Sequence, residues 1–329
     1  MKDNPINATV DFEADGIQHG YLKVPYSGDD SAWGAVMIPI TVAKNGKGPT
    51  ALLTGANHGD EYEGPIALWS LANSLNPDDI QGRIIIIPAM NYPAFRAGKR
   101  TSGIDGGNMN RVFPGNPNGN ITEIIADYFN RTLLPLADFV VDIHSGGKTL
   151  QFVPFAAAHI LEDKAQQARC VAAMEAFNAP YSVMLLELDS AHMYDTAAEN
   201  QGKIFVSTEI GGGGSADATS ATIAKRGIHN VLKHAKILPG GVETTESIQI
   251  DMPDGRCFTT CEHSGLLEMQ FNLGDTINKG DVIALIHDVE RIGVAPVEYR
   301  AEIDGILVGR HFPCLTKPGD ILAVIGQRK

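Results

Sequence analysis

Two short motifs carry side chains suited to holding a metal ion. The first is Asn57-His58-Gly59-Asp60-Glu61. His58 and Glu61 stand three apart, a spacing that brings both to one side if the segment takes a helical turn. The second is Asp142-Ile143-His144-Ser145-Gly146-Gly147. It offers His144 as a third ligand and places Asp142, two residues earlier, where a carboxylate can orient an imidazole. Two imidazole nitrogens and one carboxylate oxygen suit zinc, and three protein ligands leave the open position that hydrolytic chemistry requires. The expected cofactor is therefore one Zn2+ per chain. An H-x-x-E match alone is a common accident; the joint setting of these motifs, each histidine at a strand-to-loop junction beside glycine, is what carries the assignment.

Two further segments supply polar groups to such a centre. The stretch from Lys99 to Arg111 contains Arg100, Gly106-Gly107 and Asn110-Arg111. Guanidinium groups grip carboxylates through paired hydrogen bonds and stabilise a developing oxyanion, although a solvated loop with surface arginines would look the same. Thr208-Glu209-Ile210 runs into the four glycines Gly211 to Gly214. A carboxylate ending a buried strand is costly unless it is paired or used. Glu209 is thus a candidate general base, with a structural salt bridge as the competing role.

The elements that must position these groups follow from hydrophobic periodicity. Apolar runs at 36–40, 50–54, 83–87, 139–143 and 203–208 read as strands. Helices are expected over 65–75, over 122–134 with Thr122 as the cap, over 165–177 and over 222–235. Strands alternating with helices predict an α/β architecture, a mixed sheet with helices on both faces, whose site gathers at the carboxyl ends of strands. After Pro239-Gly240-Gly241 the pattern changes to strands and Gly-Asp turns, which predicts a catalytic domain over 1–242 and a smaller all-β domain over 243–329. An internal repeat marks the second part. Ser264-Gly265-Leu266-Leu267 leads to Lys279-Gly280-Asp281, and Asp304-Gly305-Ile306-Leu307 leads to Pro318-Gly319-Asp320. Such halves predict a small quasi-symmetric sandwich or barrel. It resembles the biotinyl/lipoyl carrier fold but lacks a clear counterpart of the lysine that such carriers modify.

Composition narrows the function classes. The formal charge is −13 and no basic face is visible, which disfavours a nucleic-acid partner. No apolar run reaches the length of a membrane span and the first residues lack a signal-peptide pattern, so the expected setting is cytoplasmic, with no membrane partner. Four scattered cysteines fit reduced thiols there. Cys257, Cys261 and His263 form a C-x3-C-x-H cluster that falls short of the four ligands of a structural zinc site. A homodimer is the expected assembly on general prevalence.

At these motifs the sequence resembles the succinylglutamate desuccinylase/aspartoacylase family over nearly its whole length. The resemblance implies a zinc-carboxypeptidase-like fold and gives His58, Glu61 and His144 the metal-ligand roles. It implies substrate binding by Asn110-Arg111, a general base at Glu209 and carbonyl polarisation by Arg100, whose loop is longer here. The family's tyrosine from the C-terminal domain has no assignable match. The stretch 30–41 around Trp33-Gly34, His144-Ser145-Gly146-Gly147, and Leu185-Leu186-Glu187-Leu188-Asp189 carry a likeness to the family branch that deacetylates N-acetyl-2,4-diaminobutyrate in ectoine degradation. The implied partner is a small N-acyl amino acid, and Glu187, Asp189 and Asp195 are candidates to receive an extra ammonium. Competing expectations are a desuccinylase or aspartoacylase, a metallocarboxypeptidase sharing the same metal triad, and, from another class, a non-catalytic carrier or binding module.

Overall fold

The structure, a computed structural model, describes residues 3–29, 31–185 and 191–329. Strands β1 (Asn7–Ala8), β2 (Gly16–Gly28) and β3 (Ser31–Asn45) precede β4 (Thr50–Gly55), α1 (Glu63–Ser74), β5 (Gly82–Ile87) and α2 (Tyr92–Ala97). Then come α3 (Ile121–Tyr128), α4 (Leu134–Leu136), β6 (Phe139–His144), β7 (Leu150–Phe152), β8 (Phe155–His159) and α5 (Lys164–Phe177). β9 (Tyr181–Leu185), α6 (Tyr194–Glu199), β10 (Ile204–Glu209) and α7 (Ala218–His234) complete the α/β region. The strands lie in the order β1-β2-β3-β5-β4-β6-β10-β8-β9. β5, β4, β6 and β10 run parallel, the β2–β3 hairpin is antiparallel within itself and to β5, and β8 runs antiparallel to β10 but parallel to β9.

The continuous β-branched run of β5 shows why this sheet is covered twice. Ile84 and Ile86 enter a core built with α1, α5 and α7, whereas Ile85 and Ile87 enter a second core with α3 and the β2–β3 hairpin. Alternate residues face opposite sides, so a strand apolar at every position requires an apolar layer on each.

Helix boundaries differ from expectation at their caps. The helix expected from Thr122 is capped by Asn120, which accepts from Glu123 N–H while the Glu123 carboxylate accepts from Asn120 N–H. Thr122 instead donates its hydroxyl to Asp105 at 2.7 Å. Beyond Tyr128 this helix widens into a π segment, Phe129–Leu133, before α4. Likewise α7 starts at Ala218, four residues before the expected 222, because Asp217 and Ser220 form a reciprocal cap.

The C-terminal strands are β11 (Ile248–Asp251), β12 (Phe258–Thr260), β13 (Gly265–Met269), β14 (Thr276–Ile277), β15 (Val282–His287), β16 (Val297–Arg300), β17 (Gly305–His311), β18 (Leu315–Thr316) and β19 (Ile321–Arg328). The sequence repeat is a structural one. β13 pairs with β15 through Leu267 and Ile286, and β17 pairs with β19 through Leu307 and Ile325. Each half lends a two-residue strand to the other, β14 to β17 and β18 to β13. One half stays in a separate four-stranded sheet, β16-β15-β13-β18, while the other merges with the large sheet through β11–β9 and β17–β7. Among the described residues no helix is long and apolar enough to cross a membrane.

Candidate metal centre and active site

Strand register sets the site out in rungs on the α3–α6 face of the sheet. His144 on β6 pairs with Glu209 on β10, which pairs with Phe155 on β8. One rung below, Thr54, Asp142, Ser207 and Ala157 are in register. Residues two apart on a strand share a face, so both rungs present their side chains to the same side. His58 and Glu61 reach this face from the loop after β4. The backbone reverses there with Ala56 at φ 48°, and Glu61 N–H donates to His58 C=O at 3.3 Å. The segment is therefore an isolated turn ahead of α1, not the helical turn that the three-residue spacing suggested, and the turn still brings the two side chains together. Gly59 admits the close approach of α2: a Cβ there would stand 2.0 Å from the Ala94 carbonyl carbon.

The three expected ligands converge. One donor atom from each of His58, Glu61 and His144 lies within 4.8 Å of the others. His58 Nδ1 is 2.8 Å from one Glu61 oxygen and His144 Nδ1 is 2.9 Å from the other. The remaining nitrogen of His144, Nε2, is 2.8 Å from Asp142, which accepts from Thr54 Oγ1 at 2.7 Å and Asn57 Nδ2 at 2.9 Å. This is the carboxylate–imidazole support that aims Nδ1 inward and fixes the ring. Asp60 accepts from Lys148 N–H at 2.9 Å and so ties the two motif loops together.

Several ionisable groups meet at the centre. Glu61, Glu63 and Asp142 are buried, Glu209 sits beside them, and Arg100, half exposed, lies 3.8 Å from Glu61. Burial acts to raise the Glu61 carboxyl, yet the two imidazoles outweigh it and hold that group far below the usual carboxylate range. Burial likewise opposes ionisation of His144, but Asp142 and Glu61 overcome it and raise the imidazole well above its ordinary value. Glu209 behaves oppositely: burial, reinforced by the Glu61 charge, pushes it up to about 8. Burial also lifts Glu63 to about 7. Among the described residues Glu209 Oε2 and His58 Nε2 have no hydrogen-bond partner. The nitrogen-and-carboxylate donor set of His58, Glu61 and His144, with these buried polar atoms beside it, fits a divalent ion of the zinc type.

A cavity of about 180 Å³ opens from this centre, lined by His58, His144, Glu209, Arg100, Asn110 and Arg111 among others. The expected arginines thus reach the same space. Asn110 lines it too, but its Oδ1 accepts Tyr194 N–H at 2.9 Å, so this side chain also anchors the start of α6. Glu187 and Asp189 lie outside the described residues, whereas Asp195 lines the cavity wall. His159, Ser207 and Ala157 also line it and were missed in the sequence. The available signal was the run Phe155-Ala156-Ala157-Ala158-His159, a strand of small residues ending in a histidine.

Glu209 is followed by loops that lock against each other. Gly211 C=O accepts from Gly146 N–H and Phe152 N–H, and Gly213 N–H donates to Leu150 C=O. Gly211 has φ 86°, and a Cβ there would meet Glu63 Oε1 at 2.7 Å, so both backbone angle and space demand glycine.

Residues 47–235 match the family model described as the succinylglutamate desuccinylase/aspartoacylase catalytic domain. The N-alpha-acetyl-L-2,4-diaminobutyric acid deacetylase of Halomonas elongata is 56% identical over 99% of this chain and 96% of its own length. The product-bound structure of the ectoine utilization protein EutE (DoeB) from Ruegeria pomeroyi superposes with TM-score 0.98 at 62% identity, covering 99% of this chain and 100% of that one. A crystal structure from Silicibacter sp. TM1040 described as a succinylglutamate desuccinylase superposes with TM-score 0.98 at 60% identity over 100% of both chains.

Proposed function

The chain belongs to the succinylglutamate desuccinylase/aspartoacylase family, and on that premise we propose a zinc-dependent deacylase that hydrolyses the amide of a small N-acyl amino acid, with N-alpha-acetyl-L-2,4-diaminobutyrate as the leading substrate. The observation that carries this reading is the convergence of the His58, Glu61 and His144 donor atoms within 4.8 Å, beside the half-buried carboxylate of Glu209. The identity of the substrate rests on the 56% identical deacetylase. Catalysis is assigned to residues 1–242, and residues 243–329 are assigned a backing role for one wall of the site.

His58, Glu61 and His144 would hold the ion. When bound, it supplies Lewis-acid polarisation and an acidified water at neutral pH. Glu209 takes the proton from the attacking water and later delivers it to the departing nitrogen, a dual task suited to a carboxyl whose affinity for protons is raised by burial. Arg100, beside Glu61 and half exposed, places a guanidinium where charge develops on the acyl oxygen. Arg111 on the same cavity wall holds the substrate carboxylate. Asp142 keeps the His144 ring in its productive tautomer.

A hydrolysis panel with metal analysis tests this. N-acetyl-2,4-diaminobutyrate, N-acetylaspartate, N-succinylglutamate and a blocked dipeptide are offered to protein of known zinc content. The proposal expects stoichiometric zinc and turnover led by the first substrate. Preferred cleavage of the blocked dipeptide, or activity unaffected by complete metal removal, defeats it.

A further inference from the structure

Four loops of the site come together at Lys148, a side chain with no part in the chemistry above. It follows Gly146-Gly147 in the loop after β6. Its backbone N–H donates to Asp60 Oδ2 at 2.9 Å, and Asp60 stands between the ligands His58 and Glu61. Next to it, Gly214 N–H donates to Gly147 C=O at 2.6 Å. The Lys148 stem runs so close to that loop that a Cβ on Gly214 would stand 2.7 Å from Lys148 Cγ. The stem is thus laid against the glycine segment that follows Glu209. Its ammonium donates to the C=O of Gly98, the left-handed C-cap of α2, as a lysine near a helix end can. Arg100 comes two residues later, with its guanidinium 3.8 Å from Glu61.

We propose that Lys148 is a positioning residue: it ties the loop bearing Arg100 to the metal-ligand loops and so sets where that guanidinium meets the acyl oxygen. This rests on the deacylase reading above and on the carbonyl-polarising role it gives Arg100. Distance makes the dependence plain. At 3.8 Å the Arg100–Glu61 contact is beyond hydrogen-bond range, and the half-exposed arginine gains little from it. Its aim therefore falls to the backbone at 98–100. The far part of the loop is moored elsewhere. Asp105 accepts from the Thr122 N–H and hydroxyl, and Asn110 Oδ1 accepts from Tyr194 N–H, which holds the segment carrying Arg111. The near end turns on Gly98: its N–H returns to Phe95 C=O, Lys99 N–H returns to Ala94 C=O, and the Gly98 carbonyl is taken by Lys148. An ammonium–carbonyl bond at the surface contributes little to overall stability, whereas a displacement of about 1 Å at a reacting group costs roughly 100-fold in rate. The consequence of the tie thus lies in rate, and the protein without it should still fold.

The test is a double-mutant cycle on kcat with N-acetyl-2,4-diaminobutyrate, using Lys148→Met, which keeps the stem and removes the donor, and Arg100→Met. Lys148→Met alone should lower kcat by at least ~10-fold, a share of the cost of an ångström-scale misplacement. KM and zinc content should stay near wild type, because Arg111 and the ligands keep their own supports. Lys148→Arg, which again offers a donor to the Gly98 carbonyl, should recover most of the rate. In the Arg100→Met background the Lys148 substitution should change kcat by less than ~2-fold, since the group it positions is gone. A merely structural Lys148 would slow both backgrounds alike, and that result overturns the proposal, as does a wild-type kcat in Lys148→Met. If Arg100→Met itself turns over at the wild-type rate, the role given to Arg100 has failed and the proposal falls with it. Wild-type turnover of no N-acyl amino acid refutes the deacylase reading at the root. Hydrogen exchange gives a readout that needs no turnover: amides at 98–104 should exchange several-fold faster in Lys148→Met while β4 and β6 keep wild-type protection. Unchanged exchange at 98–104 overturns the proposal.

Discussion

The α/β region and the β region after residue 247 bury their side chains on opposite terms. In the first, the buried set includes His58, Asp60, Glu61, Glu63, Asp142, His144, His159 and Asp195. Beyond residue 235, among the described residues, the only buried polar side chain is Thr316. Ion pairs there such as Arg256 with Asp254 and Arg300 with Glu298 lie at the surface, where such pairs contribute little. Burying charge costs several kcal/mol per group unless it is matched, so a chain that buries many charged groups in one place and almost none in another has separated chemistry from scaffolding. The separation has one seam. Phe155 and Ala157, which line the cavity, share a core with Ile306, Val308 and Val324 of the C-terminal strands.

Substitutions test this contrast by separating loss of chemistry from loss of fold. The largest effect is expected from His144→Ala, which should abolish both bound zinc and turnover while the protein stays folded. Full metal occupancy in that variant, measured by elemental analysis, would falsify the ligand set. Next comes Glu209→Gln. It should retain zinc and slow kcat by at least ~100-fold, the usual contribution of a positioned base. Turnover close to wild type would move the base elsewhere. Smaller again is Arg111→Ala, expected to raise KM for carboxylate-bearing substrates by ~10-fold with kcat little changed, as loss of one charged hydrogen-bonding partner at an exposed position implies. An unchanged KM removes Arg111 from binding.

Much of the chemical end of this contrast was legible in the sequence. His58, His144 and Glu209 announce themselves because each stands at or just beyond the carboxyl end of a strand close to glycine, and Glu61 by its three-residue spacing from His58, local patterns with local causes. His159 did not, because its role depends on two things no short window contains. β8 runs antiparallel to β10, so its last residue lies below the metal rung, and α6 brings Asp195 and Glu199 to it from some 36 to 40 residues later. Asn110 shows the same limit: its residue type points to substrate, but Tyr194, 84 residues on, uses its carbonyl oxygen. Cap choice failed for another reason. Asn120 and Thr122 are both competent caps, and the decision went to the residue whose third successor, Glu123, returns the hydrogen bond. The C-terminal repeat was readable as a period, yet the exchange of β14 and β18 between halves and the merger of one half with the main sheet are pairing events among distant strands.

The smallest expected effect on turnover, and the sharpest test of the contrast, comes from Ile283→Ala. Ile283 is fully buried on β15, in the four-stranded sheet that does not join the main one, and packs in a core with Leu267, Ile277, Ile286 and Leu322. None of these residues lines the catalytic cavity. Removing three carbons from such a core should cost about 2–5 kcal/mol, toward the upper end if the surrounding strands cannot close the space. Denaturant unfolding reads that loss; kcat and KM, measured well below the transition, should match wild type. A fall in kcat of the folded variant would mean that strain in the outer sheet passes through the seam at Ile306 and Val308 to Phe155 and Ala157. The β region would then tune the site as well as support it, because the shared core offers a contiguous packed route between the two regions.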